Sequence, residues 1–140
     1  MNKKELNILV TGANGYIGMR LIPKLVESGN RVYCSVRNPE RLSLKPDLLK
    51  KVKLITIDFL NDPKENSIPK EIDVVYYLIH SMSSKIDSFS KMEIDCAKNF
   101  NHLIKETNAR QIIFLSGIIN NKSLSKHLES RKNVEKTLRK

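Results

Sequence analysis

The short apolar run LNILVT, residues 6–11, opens directly into GANGYIG, so that three of the chain's five glycines, Gly12, Gly15 and Gly18, fall within a single turn region. Glycine loses more backbone freedom on folding than any other residue, so such a cluster marks a tight turn or a backbone that must lie close to something. Downstream, Ile17, Leu21, Ile22, Leu25 and Val26 recur at helical spacing until Ser28-Gly29-Asn30 stops the helix. In a strand, glycine turn and helix of this kind, backbone N–H groups and the helix dipole can hold a pyrophosphate. Gly12 would then make the turn, Gly15 would let the backbone approach the phosphates, and Gly18 would pack the helix on the strand. The plain structural alternative is a tight turn with no ligand.

The remaining segments alternate between strand-like and helix-like. RVYCSV (31–36), VKLITID (52–58), DVVYYLI (73–79) and RQIIFLSG (110–117) read as further strands. The proline-bearing stretch 37–51 reads as a loop with a short helix near Asp47–Lys50, residues 90–108 as a long helix, and Leu124 onward as a last one. Ser90 and Glu93 have capping-box spacing, which predicts the long helix to start there. Strands joined by helical crossovers imply an α/β fold: a Rossmann-type, doubly wound parallel sheet of five strands in the order 3-2-1-4-5, with helices on both faces. At 140 residues the chain makes one domain, 1–140.

The cofactor's identity can be approached through charge. An NAD site places an acid on the adenosine ribose ~20 residues past the glycines. This chain has Ser35, Val36, Arg37 and Asn38 there, with no acid before Glu40. A guanidinium can bond a 2′-phosphate bidentately, whereas a carboxylate would repel it. NADP(H) is therefore favoured, with NAD as the other candidate.

The net charge of +10 could serve an anionic partner, but the basic residues run from Lys3 to Lys140, densest at Lys45–Lys53 and from Lys122 on. With only four Tyr, four Phe and no Trp there is no basic and aromatic alternation for stacking bases, so nucleic acid is disfavoured. No run approaches the ~20 apolar residues of a membrane span, and Met1–Leu6 carries no signal-like apolar segment. Cys34 and Cys96 form no CxxC, which suggests free thiols in the cytoplasm and neither a disulfide framework nor a metal site.

VTGANGYIG resembles the cofactor loop of the short-chain dehydrogenase/reductase superfamily, in its extended and atypical, NmrA-like, NAD(P)H-binding branch. VYCSVRNPERL, IDFLND, YYLIHSM, IIFLSG and LSKHLESRKNVEKTLR fall where this superfamily has its markers, so the resemblance covers about residues 6 to 139. It implies that Thr11, Gly12, Asn14, Gly15, Tyr16, Ile17 and Gly18 contact the dinucleotide. Asp58 and Phe59 would border the adenine, and Leu78, Ile79 and His80 would line the cofactor after the fourth strand.

Typical members reduce carbonyls with a serine and a YxxxK pair: the tyrosine passes the proton and the lysine lowers its pKa. Ser116 matches the serine, but His127 and Arg131 stand at the Tyr and Lys positions. A histidine can pass a proton, yet a neighbouring Arg⁺ disfavours imidazolium and leaves a poor acid near neutral pH. The resemblance also implies a C-terminal substrate region that these 140 residues do not include. Two readings stand. One is an NADP-dependent oxidoreductase or epimerase-like enzyme acting on an unknown small molecule, with Ser116, His127 and Arg131 as catalytic groups. The other is a non-catalytic dinucleotide-binding or redox-sensing module, or an inactive fragment. The apolar fifth strand would form a sheet edge, open to self-association or to a partner chain.

Overall fold

The computed structural model describes residues 3–79, 86–115 and 126–140. Five strands form one sheet: β1 (Asn7–Thr11), β2 (Arg31–Val36), β3 (Val52–Thr56), β4 (Val74–Tyr77) and β5 (Gln111–Phe114). All four pairings are parallel, in the order β3-β2-β1-β4-β5, with Leu9 opposite both Tyr33 and Val75. The helices are α1 (Tyr16–Glu27), α2 (Pro46–Leu49), α3 (Ile86–Ile104) and α4 (Lys126–Leu138), and a 3₁₀ turn spans Pro39–Arg41. This is the expected doubly wound fold.

The alternation of side chains along each strand divides the interior in two. Ile8, Val10, Val32, Cys34 and Val36 point to one face and pack with Ile22 and Leu25 of α1. Leu9, Tyr33, Val75 and Tyr77 point to the other, under Cys96, Ala97, Phe100, Leu103 and Ile104 of α3 and Val134 of α4. Phe100 anchors the second core, edge-on to Tyr77 at 4.9 Å and to Phe59 at 5.8 Å.

Element ends differ from expectation for physical reasons. β4 stops at Tyr77, because β1 turns away at Gly12 and the Leu78 amide donates instead to the Thr11 hydroxyl, at 3.1 Å. The same hydroxyl donates to the Tyr76 carbonyl, so Thr11, fully buried, clips β1 to β4 by its side chain. The Ser90–Glu93 capping box is not formed. α3 begins at Ile86, which leaves Ser90 inside the helix, and Glu93 is buried in an ion pair. At its other end α3 stops at Ile104, where Thr107 turns its hydroxyl back onto the Ile104 carbonyl.

Candidate functional site

The strands are parallel, so their carboxyl ends share one edge of the sheet, and β2 and β4 leave β1 on opposite sides. A crevice is expected at such a divergence. A cleft of about 500 Å³ lies there, lined by residues that follow β1 (Gly12, Asn14), β2 (Arg37, Asn38), β3 (Asp58, Phe59) and β4 (Ile79). Arg41 and two α3 residues, Met92 and Cys96, also line it.

The three glycines do different work. Gly12 has φ +61°, and an added Cβ would lie 2.7 Å from the Leu78 carbonyl oxygen, so the turn is pressed against the end of β4. A Cβ on Gly18 would lie 2.8 Å from the Ala13 oxygen and 2.9 Å from that of Gly12. Gly18 therefore packs α1 onto the turn that follows the strand. Gly15, the N-cap of α1, has an ordinary φ of −78°, and its Cβ would meet only the Gly12 oxygen at 3.3 Å. Neither backbone strain nor a severe clash therefore demands glycine at this position. No acid stands in the first turn of α1, leaving the positive helix end free for an anion. The cradle fits a pyrophosphate.

Of the other loop residues, Thr11 serves as the buried clip. Tyr16 and Ile17 are exposed in the first turn of α1, and the Arg20 guanidinium stacks 3.5 Å from the Tyr16 ring centroid. Past β2, Arg37 lines the cleft. Arg41 joins it because Asn38 caps the 3₁₀ turn, accepting from the Glu40 amide, and the turn brings the chain back. Sequence reasoning missed Arg41, although two arginines one helical turn apart behind a strand were a legible signal.

Asp58 accepts from the Leu60 and Asn61 amides and from the Asn61 side chain. Burial pushes its carboxyl up. Those hydrogen bonds, with the Arg37 charge, outweigh it and hold the pKa below the usual carboxylate value. Phe59 lines the cleft beside it, with its carbonyl accepting from Asn99 of α3. Burial and the nearby Glu93, Asp58 and Asp95 push the Cys96 thiol up to about 11, and the Cys34 thiol is pushed up by burial to about 12. Both thiols are free and buried.

Leu78 is half-buried against Gly12, and Ile79 lines the cleft. His80 and Ser116 lie outside the described residues, and His127 is a residue of α4. Arg131 does not enter the cleft lining. Its Nη1 donates to Glu93 Oε2 at 3.0 Å and to the Ile79 carbonyl at 3.1 Å, and Nη2 donates to the Leu115 carbonyl at 3.2 Å.

Residues 12–139 match the NAD(P)H-binding family. The chain belongs to that family. It shares 28% identity over 131 residues with the chloroplastic divinyl chlorophyllide a 8-vinyl-reductase of Arabidopsis thaliana, covering 86% of this chain and 31% of that protein. An 89-residue match at 32% identity to trichosetin synthetase PKS-NRPS1 of Gibberella fujikuroi covers 58% of this chain and 2% of the synthetase. Among solved structures, the UDP-N-acetylglucosamine 4-epimerase of Bacillus cereus superposes with a TM-score of 0.72 at 20% identity, covering 96% of this chain and 54% of the epimerase. A putative NAD-dependent epimerase/dehydratase of Bacillus halodurans gives 0.74 at 17%, with 95% and 64% covered. This NAD(P)H-binding domain thus shares its fold with these solved neighbours, and spans between half and two thirds of their length. Among its described residues no helix is long and apolar enough to cross a membrane.

Proposed function

We propose that this domain binds NADP(H) as the cofactor half of an oxidoreductase- or epimerase-like protein working in the cytoplasm. The pyrophosphate rests on Gly12–Gly18, the adenosine lies toward Arg37, Arg41, Asp58 and Phe59, and the nicotinamide lies toward Ile79 and His80. One observation carries the choice of NADP(H): two guanidinium side chains, Arg37 and Arg41, line the cleft past β2, where an NAD site would place an acid. Asp58, the acid that is present, is occupied by its own turn.

The experiment is calorimetric titration of wild type and Arg37→Ala with NADPH and NADH. Loss of a charged hydrogen bond should weaken NADPH by ~2 kcal/mol and leave NADH nearly unmoved. Equal losses for both cofactors would assign Arg37 another role.

A bound nicotinamide would supply hydride chemistry, with Ser116 and His127 as the proton-handling candidates toward an unknown small-molecule substrate. Binding without turnover is the second reading. It is supported by Arg131, which stands where the superfamily's lysine would and is engaged with Glu93. NADPH oxidation with simple carbonyls, abolished by Ser116→Ala, would favour catalysis; dinucleotide binding without oxidation would favour the module. Among the described strands β5 is a sheet edge, and such an edge offers pairing to a second copy or to a partner chain.

A further inference from the structure

We infer that Arg131 and Glu93 form a positioning pair, which sets the wall of the cleft on the nicotinamide side through the Ile79 backbone. Arg131 would thus act on the cofactor without touching it. This inference rests on the dinucleotide reading above.

The pair is unusual in its burial. Glu93 is 1% exposed, and the Arg131 side chain is 13% exposed. Replacing a buried ion pair by apolar groups is often neutral or stabilising, so stability alone is a weak reason for this one. Its geometry supplies a better reason. One guanidinium joins four elements: α4, which carries it; α3, through Glu93; the end of β4, through the Ile79 carbonyl; and the end of β5, through the Leu115 carbonyl. Its plane also covers the Phe114 ring, 4.6 Å from guanidinium carbon to ring centroid.

The β4 ladder ends at Tyr77, so the cleft wall just beyond it lacks sheet partners to hold it. Arg131 grips that wall from behind. Ile79 lines the cleft while its carbonyl accepts from Nη1. On α3, Met92 and Cys96 face the same cleft, and Glu93 beside them holds the same Nη1. The fork therefore fixes the spacing between Ile79 on one side and Met92 and Cys96 on the other. A lysine carries its three donors on one nitrogen and has no planar fork, so it cannot reproduce the two fixed nitrogens that hold Glu93 and Ile79 on one side and Leu115 on the other. With its charge met by Glu93, Arg131 is also ill placed to serve a phosphate.

The test uses two probes. NADPH reports the whole cleft, and adenosine 2′,5′-bisphosphate reports only the adenosine half. For Arg131→Lys and for Glu93→Gln, NADPH affinity should fall roughly tenfold, inside the coupling range of contacting networked residues. Adenosine 2′,5′-bisphosphate affinity should stay within about twofold of wild type, since the Arg131 guanidinium bonds to Glu93, Ile79 and Leu115 and to none of Arg37, Arg41, Asp58 and Phe59. The pair Arg131→Met with Glu93→Leu removes both charges together, and where its urea midpoint shows it folded it should still bind NADPH weakly. Equal weakening of both probes would reduce the pair to a general stabiliser, and undiminished NADPH binding in a folded variant would overturn the inference. Tighter NADPH binding by Glu93→Gln would mean that a freed Arg131 touches the cofactor directly, which also overturns it. If wild type binds neither probe, the dinucleotide reading fails and takes this inference with it.

Discussion

A methyl group added to each of the three loop glycines would meet three different fates. At Gly15 the backbone is one that any residue adopts, and the nearest atom stands at 3.3 Å. Gly15→Val should cost on the order of 1 kcal/mol, as a poor N-cap does, and abolish NADPH binding in calorimetry. Gly12→Ala and Gly18→Ala would drive Cβ to within 3 Å of backbone oxygens, and Gly12 is also held at positive φ. Each should lower the urea midpoint by an amount worth roughly 1–3 kcal/mol. A Gly15→Val protein that binds NADPH like wild type would remove the loop from the site. Cys34 makes a prediction about pH. Its thiol is raised from 9.0 to about 12 by burial, so the folded state keeps a proton that the unfolded chain gives up first. The stability it supports is complete below pH 9 and drains away as pH rises toward 12. Thermal melts from pH 8 to 11 should show a steeper alkaline decline for wild type than for Cys34→Ala.

At the scale of elements, the clip between β1 and β4 depends on one hydroxyl. Thr11→Val keeps the shape but strands the part-buried Leu78 N–H, which should cost about 1–3 kcal/mol, read as a shifted urea midpoint with unchanged slope. That role was hidden in the sequence, since the clip exists only once β4 lies beside β1, far along the chain. The strands themselves were legible, because a strand buried on both faces reads as an apolar run, and RVYCSV coincides with β2. The apolar Leu78 and Ile79 extended β4 on paper, but apolarity reports burial and says nothing of where a ladder loses its partner. Glu93 misled for a similar reason. Its spacing from Ser90 is local, whereas its real partner, Arg131, lies 38 residues away. Within the cleft, Gly12, Arg37, Asp58 and Ile79 could be read from motif and resemblance. Arg41 was legible only as a second arginine one helical turn past Arg37, and Met92 and Cys96 were not, because a helix face is aimed by tertiary packing.

For the whole molecule, β5 is an edge among the described strands, with Ile112 and Phe114 half-buried beside a groove of about 340 Å³ shared with Leu138 of α4. An edge of this kind invites pairing with another chain. Sedimentation of the 140-residue chain should show concentration-dependent association, and a clean monomer at every concentration would refute this. NADPH at 100 times its Kd should add ~2.7 kcal/mol to apparent stability, whether or not anything is turned over. The sheet order has a kinetic consequence as well. β1 meets β2 after a short connection, but β4 must return from Val74 to lie beside Ile8, closing a long loop before any gain is made. The cleft has no second wall until that slow step is over. Cofactor therefore arrives too late to hasten folding, and its grip is felt as a brake on unfolding, prolonging the life of each folded molecule.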